Sequence, residues 1–164
     1  MISALMLSGV AGSAICADLG ARKIRDELDA LEVMGISVIE RLVVPRAIAI
    51  VFISCLLTGV VMFFSIITTL LVSVALLDLA PGTYLASVDQ LASLADLWLS
   101  LVKAAAFGLI CVIVASHYGI TVKDGPAGVG DAVTTSVVVN FVLLFTANFA
   151  ISQVALGFMK GPLG

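Results

Sequence analysis

Lys103 is the residue of this sequence whose type and position most directly suggest chemistry. It is the one charge well inside a long apolar block, residues 97–116. Ionisable groups at membrane depth are costly and often line a substrate or ion path. A structural role is the alternative, because Asp96 lies near one end of the block and the lysine stem is long enough to reach that end or to pair with an acid there. Both interpretations of Lys103 stay open, a functional intramembrane charge and a side chain that extends to the interface.

The other reactive side chains do not form a catalytic set. The sequence has a single histidine, His117, and three cysteines far apart in apolar runs, Cys16, Cys55 and Cys111. Neither a Ser/His/Asp arrangement nor an HExxH motif is present, so an intramembrane enzyme acting on lipid would lack its parts. We therefore expect a non-catalytic chain with no disulfide, no metal and no cofactor of its own.

A glycine-rich stretch at residues 125–130, Gly-Pro-Ala-Gly-Val-Gly, is a weak candidate for phosphate binding. It lacks the GxxxxGK[ST] pattern and a preceding strand, so ATP is expected to bind elsewhere. Glycine and proline at this density favour a tight turn. We predict a structural turn between two helices, formed by Gly125, Pro126, Gly128 and Gly130.

Long apolar blocks around these residues indicate an integral membrane protein. The chain is 62% hydrophobic and 12% charged, whereas about a quarter of residues are charged in soluble domains. Residues 47–77 carry no charge and exceed the roughly 20 residues of a membrane span. Residues 2–17 are short for a span and lack the basic start of a signal peptide, the less favoured alternative. The predicted fold is all-α, with about three complete transmembrane helices and the C-terminal half of another.

One domain with alternating membrane and aqueous segments follows from these blocks. Five of the eight basic residues lie in residues 22–46, while residues 78–96 contain no Lys or Arg, so residues 18–45 are predicted to be cytoplasmic. We expect a multi-pass protein of the cytoplasmic (inner) membrane that does not bind nucleic acid. Its predicted segments are a partial transmembrane helix at 2–17, transmembrane helices at 46–77, 97–117 and 132–158, cytoplasmic loops at 18–45 and 118–131, and an extracytoplasmic loop at 78–96 and tail at 159–164.

The segment from Asp18 to Arg46 holds eleven of the nineteen charged residues. An apolar stripe at helical spacing predicts an amphipathic helix from about residue 18 to residue 34, with the stripe formed by Ala21, Ile24, Leu28, Leu31 and Gly35. Opposite charges four residues apart are predicted to pair, as Arg22 with Asp26, Lys23 with Glu27 and Arg25 with Asp29. Because acids and bases nearly balance, the helix fits a protein partner better than an anionic membrane surface.

The residues of this segment also resemble a known family. AGSAICADLGARKIRDELDALEVMGISVIERLVVPR, residues 11–46, strongly resembles the central segment of the MlaE/YrbE family, the permease subunits of MCE-associated ABC lipid transporters. Residues 118–139, with the glycine-rich stretch, resemble the family's last cytoplasmic loop and helix, and Asp96-Leu97 followed by Lys103 and Phe107 also matches. The sequence ALEVMGI, residues 30–36, is most similar to actinobacterial YrbE members. The resemblance covers essentially the whole chain.

What the resemblance implies is a permease subunit that moves lipid between the membrane and an MCE protein conduit, driven by a separate ATPase. The implied partners are a cytoplasmic ABC ATPase that binds ATP and magnesium, a second permease subunit in a homo- or heterodimer, MCE substrate-binding proteins and membrane lipid. The amphipathic helix would be the coupling helix, and its expected docking residues are Arg25, Glu27, Asp29, Leu31 and Glu32. The alternative is that these charges only solvate the helix and pair internally.

Two departures from the family pattern qualify this implication. Family members usually carry a longer N-terminal part with an interfacial helix and earlier spans, so the chain resembles a fragment. Val10 stands where the family often has an arginine, and the role of that arginine does not transfer. The alternative function is a truncated or remnant permease that inserts without transport. Fatty acids, sterols, phospholipids and mycolic-type lipids all fit as cargo, in either direction.

Overall fold

The computed structural model describes residues 2–77, 94–123 and 125–159, together with positions 82, 84 and 86. All regular secondary structure in these ranges is helical. Four helices are long and apolar enough to cross a membrane, at Ile2–Ile24, Ile39–Ala75, Asp96–Ile120 and Gly125–Val154. The predicted all-α membrane fold is therefore confirmed. Most of the predicted loop at 78–96, and the predicted tail beyond residue 159, lie outside the described residues.

The described helices are numbered in chain order. They are α1 (Ile2–Ile24, with a π-helical turn at Ser8–Gly12), α2 (Glu27–Val33), α3 (a π-helical turn at Ile39–Val43 continued by an α-helix at Val44–Leu77), α4 (Leu94–Ile120) and α5 (Gly125–Met159). The four long helices run alternately up and down. Residues 18–46 and the connection between α4 and α5 lie at one end of the bundle, which we call the charged end. The start of α1 lies at the opposite end.

Helix α1 is longer than the predicted segment at 2–17. It continues to Ile24, because Leu19 is fully buried on one side while Asp18 and Arg22 pair with each other on the surface. The π-helical turn at Ser8–Gly12 interrupts the regular hydrogen-bond pattern. The Ser13 hydroxyl donates to the carbonyl oxygens of Gly9 and Val10 at 2.5 and 3.0 Å, which supplies these acceptors with a partner.

Helix α3 begins at Ile39, before Pro45 and before the predicted start at residue 46. Ser37 precedes the helix, and its hydroxyl accepts a hydrogen bond from the backbone N–H of Glu40 at 3.4 Å, as the sequence Ser-x-x-Glu favours. Pro45 has no N–H and cannot complete the regular pattern, and the turn just before it, Ile39–Val43, is π-helical. The predicted helix began at residue 46, next to the charge-free run that starts at Ala47. Ser37 was therefore not recognised as the residue that precedes the helix.

The core of the bundle lies between α1, α3 and α4 toward the charged end and between α1, α4 and α5 toward the opposite end. The first cluster comprises Leu7, Ile15, Cys16, Leu19, Ile50, Val112 and Ala115. The second comprises Ala4, Phe107 and Leu144. Large apolar side chains on α3 and α5 point out of the bundle, among them Phe52, Phe64 and Phe145. An apolar outer surface is what lipid contact or another apolar subunit requires.

Small residues allow the helices to approach closely. A Cβ atom on Gly119 of α4 would lie 2.8 Å from Leu19 Cβ and 3.0 Å from the Cys16 carbonyl oxygen of α1. On the other face of α4, a Cβ atom on Gly108 would lie 2.9 Å from the Ser54 hydroxyl of α3. Helix α4 is therefore held closely against both neighbours.

Candidate functional site

A pocket of about 370 Å³ opens near the opposite end of the bundle, between all four long helices. Its walls are mainly apolar, with Leu7, Val61, Met62 and Phe107 among the lining residues. The polar side of the pocket is formed by hydroxyls, one amide and one amine, from Ser3, Ser54, Thr58, Ser100, Asn148 and Lys103. A cavity with an apolar wall and convergent polar groups has the chemistry of a binding site for an amphipathic molecule.

Lys103 is the one charged side chain among the residues that line this pocket. Its Nζ atom donates to the Ser152 hydroxyl of α5 at 2.8 Å, and that hydroxyl donates to the Asn148 carbonyl oxygen at 2.7 Å. An ammonium group has three donors, so one hydrogen bond to Ser152 does not exhaust its capacity. The structure thus places Lys103 at a pocket wall with its side chain half-buried, and not extended along the outer surface.

The hydroxyl groups of the pocket also connect the helices that form it. Ser3 of α1 and Thr58 of α3 are joined by a hydrogen bond of 3.4 Å. Ser54 of α3 donates to the carbonyl oxygen of Ala104 in α4 at 2.9 Å. These bonds hold the polar wall in place, since polar groups at membrane depth need partners within the protein.

The charged segment of the chain is not one continuous helix, so the predicted single helix from about residue 18 to residue 34 is wrong. Helix α1 ends at Ile24 and α2 begins at Glu27, and between them Asp26 adopts a left-handed backbone conformation with φ of 57°. A left-handed residue cannot continue a right-handed helix. Aspartate tolerates this conformation better than most residues, which allows the chain to bend here.

Because the helix breaks at Asp26, the charges pair differently from the predicted four-residue spacing. Within residues 18–46, five ion pairs form, and they join Arg22 to Asp18, Arg22 to Glu27, Lys23 to Asp29, Arg25 to Glu27 and Arg46 to Asp18. The last of these connects α1 with α3. Pairs across the break depend on the bend itself, and a straight helical register cannot predict them.

The five predicted docking residues lie on or next to α2 with different exposures. Arg25, Glu27 and Glu32 are exposed, while Asp29 and Leu31 are partly buried. Arg25 and Glu27 pair with each other at 2.8 Å, and Asp29 pairs with Lys23. The buried member of the predicted stripe is Leu28, which is 2% exposed and anchors α2 to the bundle.

An exposed apolar tip on α2 was not predicted. Val33 is 89% exposed and Met34 is 64% exposed, although both lie in the most charged part of the chain. Gly35 follows with φ of 74°, and it forms a Schellman motif in which its N–H donates to Glu32 O at 2.9 Å and the Ile36 N–H donates to Leu31 O at 3.0 Å. The sequence signal for this helix end was Gly35, a glycine just after a helical pattern. Gly35 was instead counted as part of the predicted apolar stripe.

The four predicted turn residues lie at the start of α5. Gly125 is the first residue of the helix and has φ of 70°, and Pro126 occupies the first turn, where its missing N–H costs no hydrogen bond. Gly128 and Gly130 lie inside the helix and not in a turn, which corrects their part of the prediction. Among the described residues, no group of three or more His, Cys, Asp or Glu side chains is placed to hold a metal ion.

Comparison with known proteins shows the family of this chain. Residues 1–154 match the family model described as Permease MlaE, so the chain belongs to the MlaE permease family. A probable ABC transporter permease protein of Synechocystis sp. is 34% identical over 152 residues, covering 93% of this chain and 58% of the relative. A probable ABC transporter permease protein of Rickettsia bellii is 34% identical over 155 residues, covering 93% of this chain and 59% of the relative.

A plant protein is also similar. The chloroplastic protein TRIGALACTOSYLDIACYLGLYCEROL 1 of Arabidopsis thaliana is 29% identical over 157 residues, covering 93% of this chain and 44% of the relative. The chain thus spans less than two thirds of the length of these relatives.

Proposed function

We propose that this chain acts as part of the permease subunit of an ABC transporter that moves lipid, with ATP hydrolysed by a separate subunit. Membership of the MlaE permease family and the names of the two bacterial relatives support the transport role. The Arabidopsis relative carries the name of a lipid, which supports lipid as the cargo. Four helices long and apolar enough to cross a membrane provide a suitable scaffold.

The pocket at Lys103 is the observation that carries the proposal. It combines an apolar wall with hydroxyl and amine groups at membrane depth, which are the two surfaces that an amphipathic lipid needs. Its volume of about 370 Å³ lies at the small end of the range for small-molecule sites. We propose that it holds a headgroup or part of an acyl chain, and not a whole two-chain lipid.

Lys103 would give this pocket a preference for anionic headgroups. A cation surrounded by apolar walls attracts an anion more strongly than it would in water, because the surroundings screen the charges less. Its remaining donors can bind phosphate or carboxylate oxygen atoms while Ser152 holds the side chain in position.

Helix α2 would be the coupling helix that docks on the ATPase. Arg25, Glu27, Asp29, Leu31 and Glu32 remain the proposed docking residues, and the exposed apolar tip at Val33 and Met34 extends the same surface. Interface centres are usually apolar with a charged rim, and α2 combines these two features on an exposed short helix. The ATPase, with its ATP and magnesium, would bind at the charged end.

The remaining partners are proposed from the resemblance and from the surface. Five of the eight Lys and Arg residues lie in residues 22–46, and this uneven distribution supports a cytoplasmic position for the charged end in an inner membrane. A second permease subunit would cover part of the exposed apolar surface of α3 and α5, and MCE proteins would receive or deliver lipid at the opposite end. That this chain belongs to the YrbE branch stays a prediction from the sequence ALEVMGI, residues 30–36.

Transport by the permease–ATPase complex in proteoliposomes tests the role of the pocket. The probes are NBD-labelled phosphatidylglycerol, which is anionic, and NBD-labelled phosphatidylcholine, which is zwitterionic. Because a hydrogen bond to a charged group contributes about 1.5 to 3 kcal/mol, Lys103→Gln should slow phosphatidylglycerol transport by about tenfold or more. Lys103→Arg keeps the charge and should retain most of the transport.

The matched control is Lys123→Gln, which removes an exposed lysine at the charged end and should leave transport unchanged. Equal phosphatidylglycerol transport by Lys103→Gln and the unsubstituted complex would contradict the pocket role. If no ATPase co-purifies with the permease in mild detergent, the assignment to an ABC transporter is wrong.

A further inference from the structure

An ionic network at the charged end joins three helices. Arg22 of α1 donates from Nε to Asp18 Oδ2 at 3.3 Å, and its Nη1 lies 3.8 Å from Glu27 Oε2 of α2. Arg46 of α3 donates from Nη2 to the same Asp18 oxygen. The network therefore runs from α2 through α1 to α3. Glu27 also accepts a hydrogen bond from Arg25 Nε at 2.8 Å, so the network contains two acids and three arginines.

The α1 end of this network is fixed to the bundle. Leu19, next to Asp18, is fully buried, and Gly119 of α4 lies against it so closely that a single added methyl group would clash. One residue further, a Cβ atom on Gly20 would lie 3.1 Å from Val122 and 3.2 Å from Val129. The carboxylate of Asp18 is thus presented from a rigid support formed by α1, α4 and α5.

The α2 and α3 parts of the network are less rigidly supported than Asp18. Leu28 anchors α2 to the bundle, but α2 is separated from α1 by the left-handed residue Asp26 and from α3 by the non-helical residues around Gly35. Arg46 lies two turns after the start of α3, and its side chain is 26% exposed. Its Nη1 atom is buried and has no hydrogen-bond partner among the described residues, so Arg46 keeps a spare donor beside its bond to Asp18.

We propose that Asp18 and Arg46 form a reversible latch between α1 and α3 that transmits movement of α2 to the membrane helices. The inference rests on the proposed function, since it is the ATPase that would move α2. When α2 moves, Glu27 moves Arg22 through their ion pair. The position of the Arg22 charge relative to Asp18 then changes, and with it the strength of the ion pair between Asp18 and Arg46. Half-exposed ion pairs contribute little stability, and a contact that must open and close in every cycle needs this property.

Asp18 and Arg46 are positioning residues in this proposal, and they touch no lipid. The readout is therefore the amount of NBD-labelled phosphatidylglycerol moved per ATP hydrolysed by the permease–ATPase complex in proteoliposomes. Asp18→Asn and Arg46→Gln should each lower this ratio by about fivefold or more, the lower end of typical coupling between sites. ATP hydrolysis should continue, and the melting temperatures should stay close to that of the unsubstituted complex.

Three further variants separate the latch from a general effect of charge. The double variant Asp18→Asn with Arg46→Gln should be no worse than either single variant, because residues that act through each other are not additive. Arg46→Lys keeps a positive charge and should restore part of the ratio. Arg41→Gln, which removes an exposed arginine from the same segment, is the matched control and should leave the ratio unchanged.

Unchanged ratios in the single variants, or single effects that multiply in the double variant, would overturn the latch. Equal ratios for Arg46→Lys and Arg46→Gln would overturn the role assigned to the charge. These results require an unsubstituted complex that moves lipid when it hydrolyses ATP. If that complex hydrolyses no ATP or moves no lipid, the proposed function itself fails, and the two failures are distinguishable.

Discussion

Replacing Gly119 with alanine tests the close contact between α1 and α4. The added Cβ would lie 2.8 Å from Leu19 Cβ and 3.0 Å from the Cys16 carbonyl oxygen. A Cβ atom and a backbone oxygen cannot rotate away as a side-chain tip can, so the two helices must separate by several tenths of an ångström. Overpacking of this kind costs about 1 to 3 kcal/mol, and alanine recovers up to about 1 kcal/mol as a better helix former. We expect a net loss of about 1 to 2 kcal/mol.

Thermal unfolding in detergent with a thiol-reactive dye measures this loss. Cys16 and Cys111 are buried, so their reaction with the dye, above the baseline from the partly buried Cys55, reports unfolding around the contact that Gly119→Ala weakens. At about 2 to 4 °C per kcal/mol, the apparent melting temperature should fall by roughly 2 to 8 °C. Gly130→Ala is the matched control, because no atom lies within 4 Å of the added Cβ and Gly130 is helical.

The control should melt at the same temperature or slightly higher, since alanine favours the helix. If Gly119→Ala melts within about 1 °C of the unsubstituted chain, the close contact that supports Asp18 is refuted. A lower melting temperature for Gly130→Ala would favour the turn that the sequence predicted at this position.

Two further predictions concern α2 and the buried amide of α5. Gly35→Ala forces alanine to φ of 74°, which costs about 1 to 2 kcal/mol. The amides of α2 should therefore exchange hydrogen with deuterium faster than in the unsubstituted protein. Equal exchange would contradict the Schellman motif. Asn140 is fully buried, and neither polar atom of its side chain has a partner among the described residues. Asn140→Leu should therefore raise the melting temperature by roughly 2 to 4 °C, about 1 kcal/mol, and a fall would show that the amide stabilises the fold.

The membrane class and most helix positions could be predicted from the sequence, because an apolar run is a local property. The charge-free residues 47–77 belong to α3, and the apolar core of α4 lies within the predicted helix at 97–117. The predicted ends of the helices were less accurate. Helix α1 continues past Asp18, and α5 begins at Gly125, before the predicted start at residue 132. Charges and glycines mark the surface and favour turns, but packing against neighbouring helices decides where a helix stops.

The charged segment shows a different limit. Its amphipathic stripe correctly indicated helical structure, but one left-handed residue, Asp26, divides it into two helices. No local pattern distinguishes this aspartate from the acids around it. The pairing of Arg22, Arg25 and Lys23 followed from the bend, so the predicted four-residue pairs were replaced by others.

The sequence by itself determined that this chain is a helical membrane protein with most of its charges at one end, because hydrophobicity and charge add up along neighbouring residues. Only the tertiary structure decided that Lys103 faces a pocket shared by four helices and that Asp18 meets Arg46 across 28 residues of chain. Both arrangements depend on distances between helices. Those distances are set by how closely small residues such as Gly108 and Gly119 let the backbones approach, and this property belongs to pairs of surfaces and not to any single stretch of sequence.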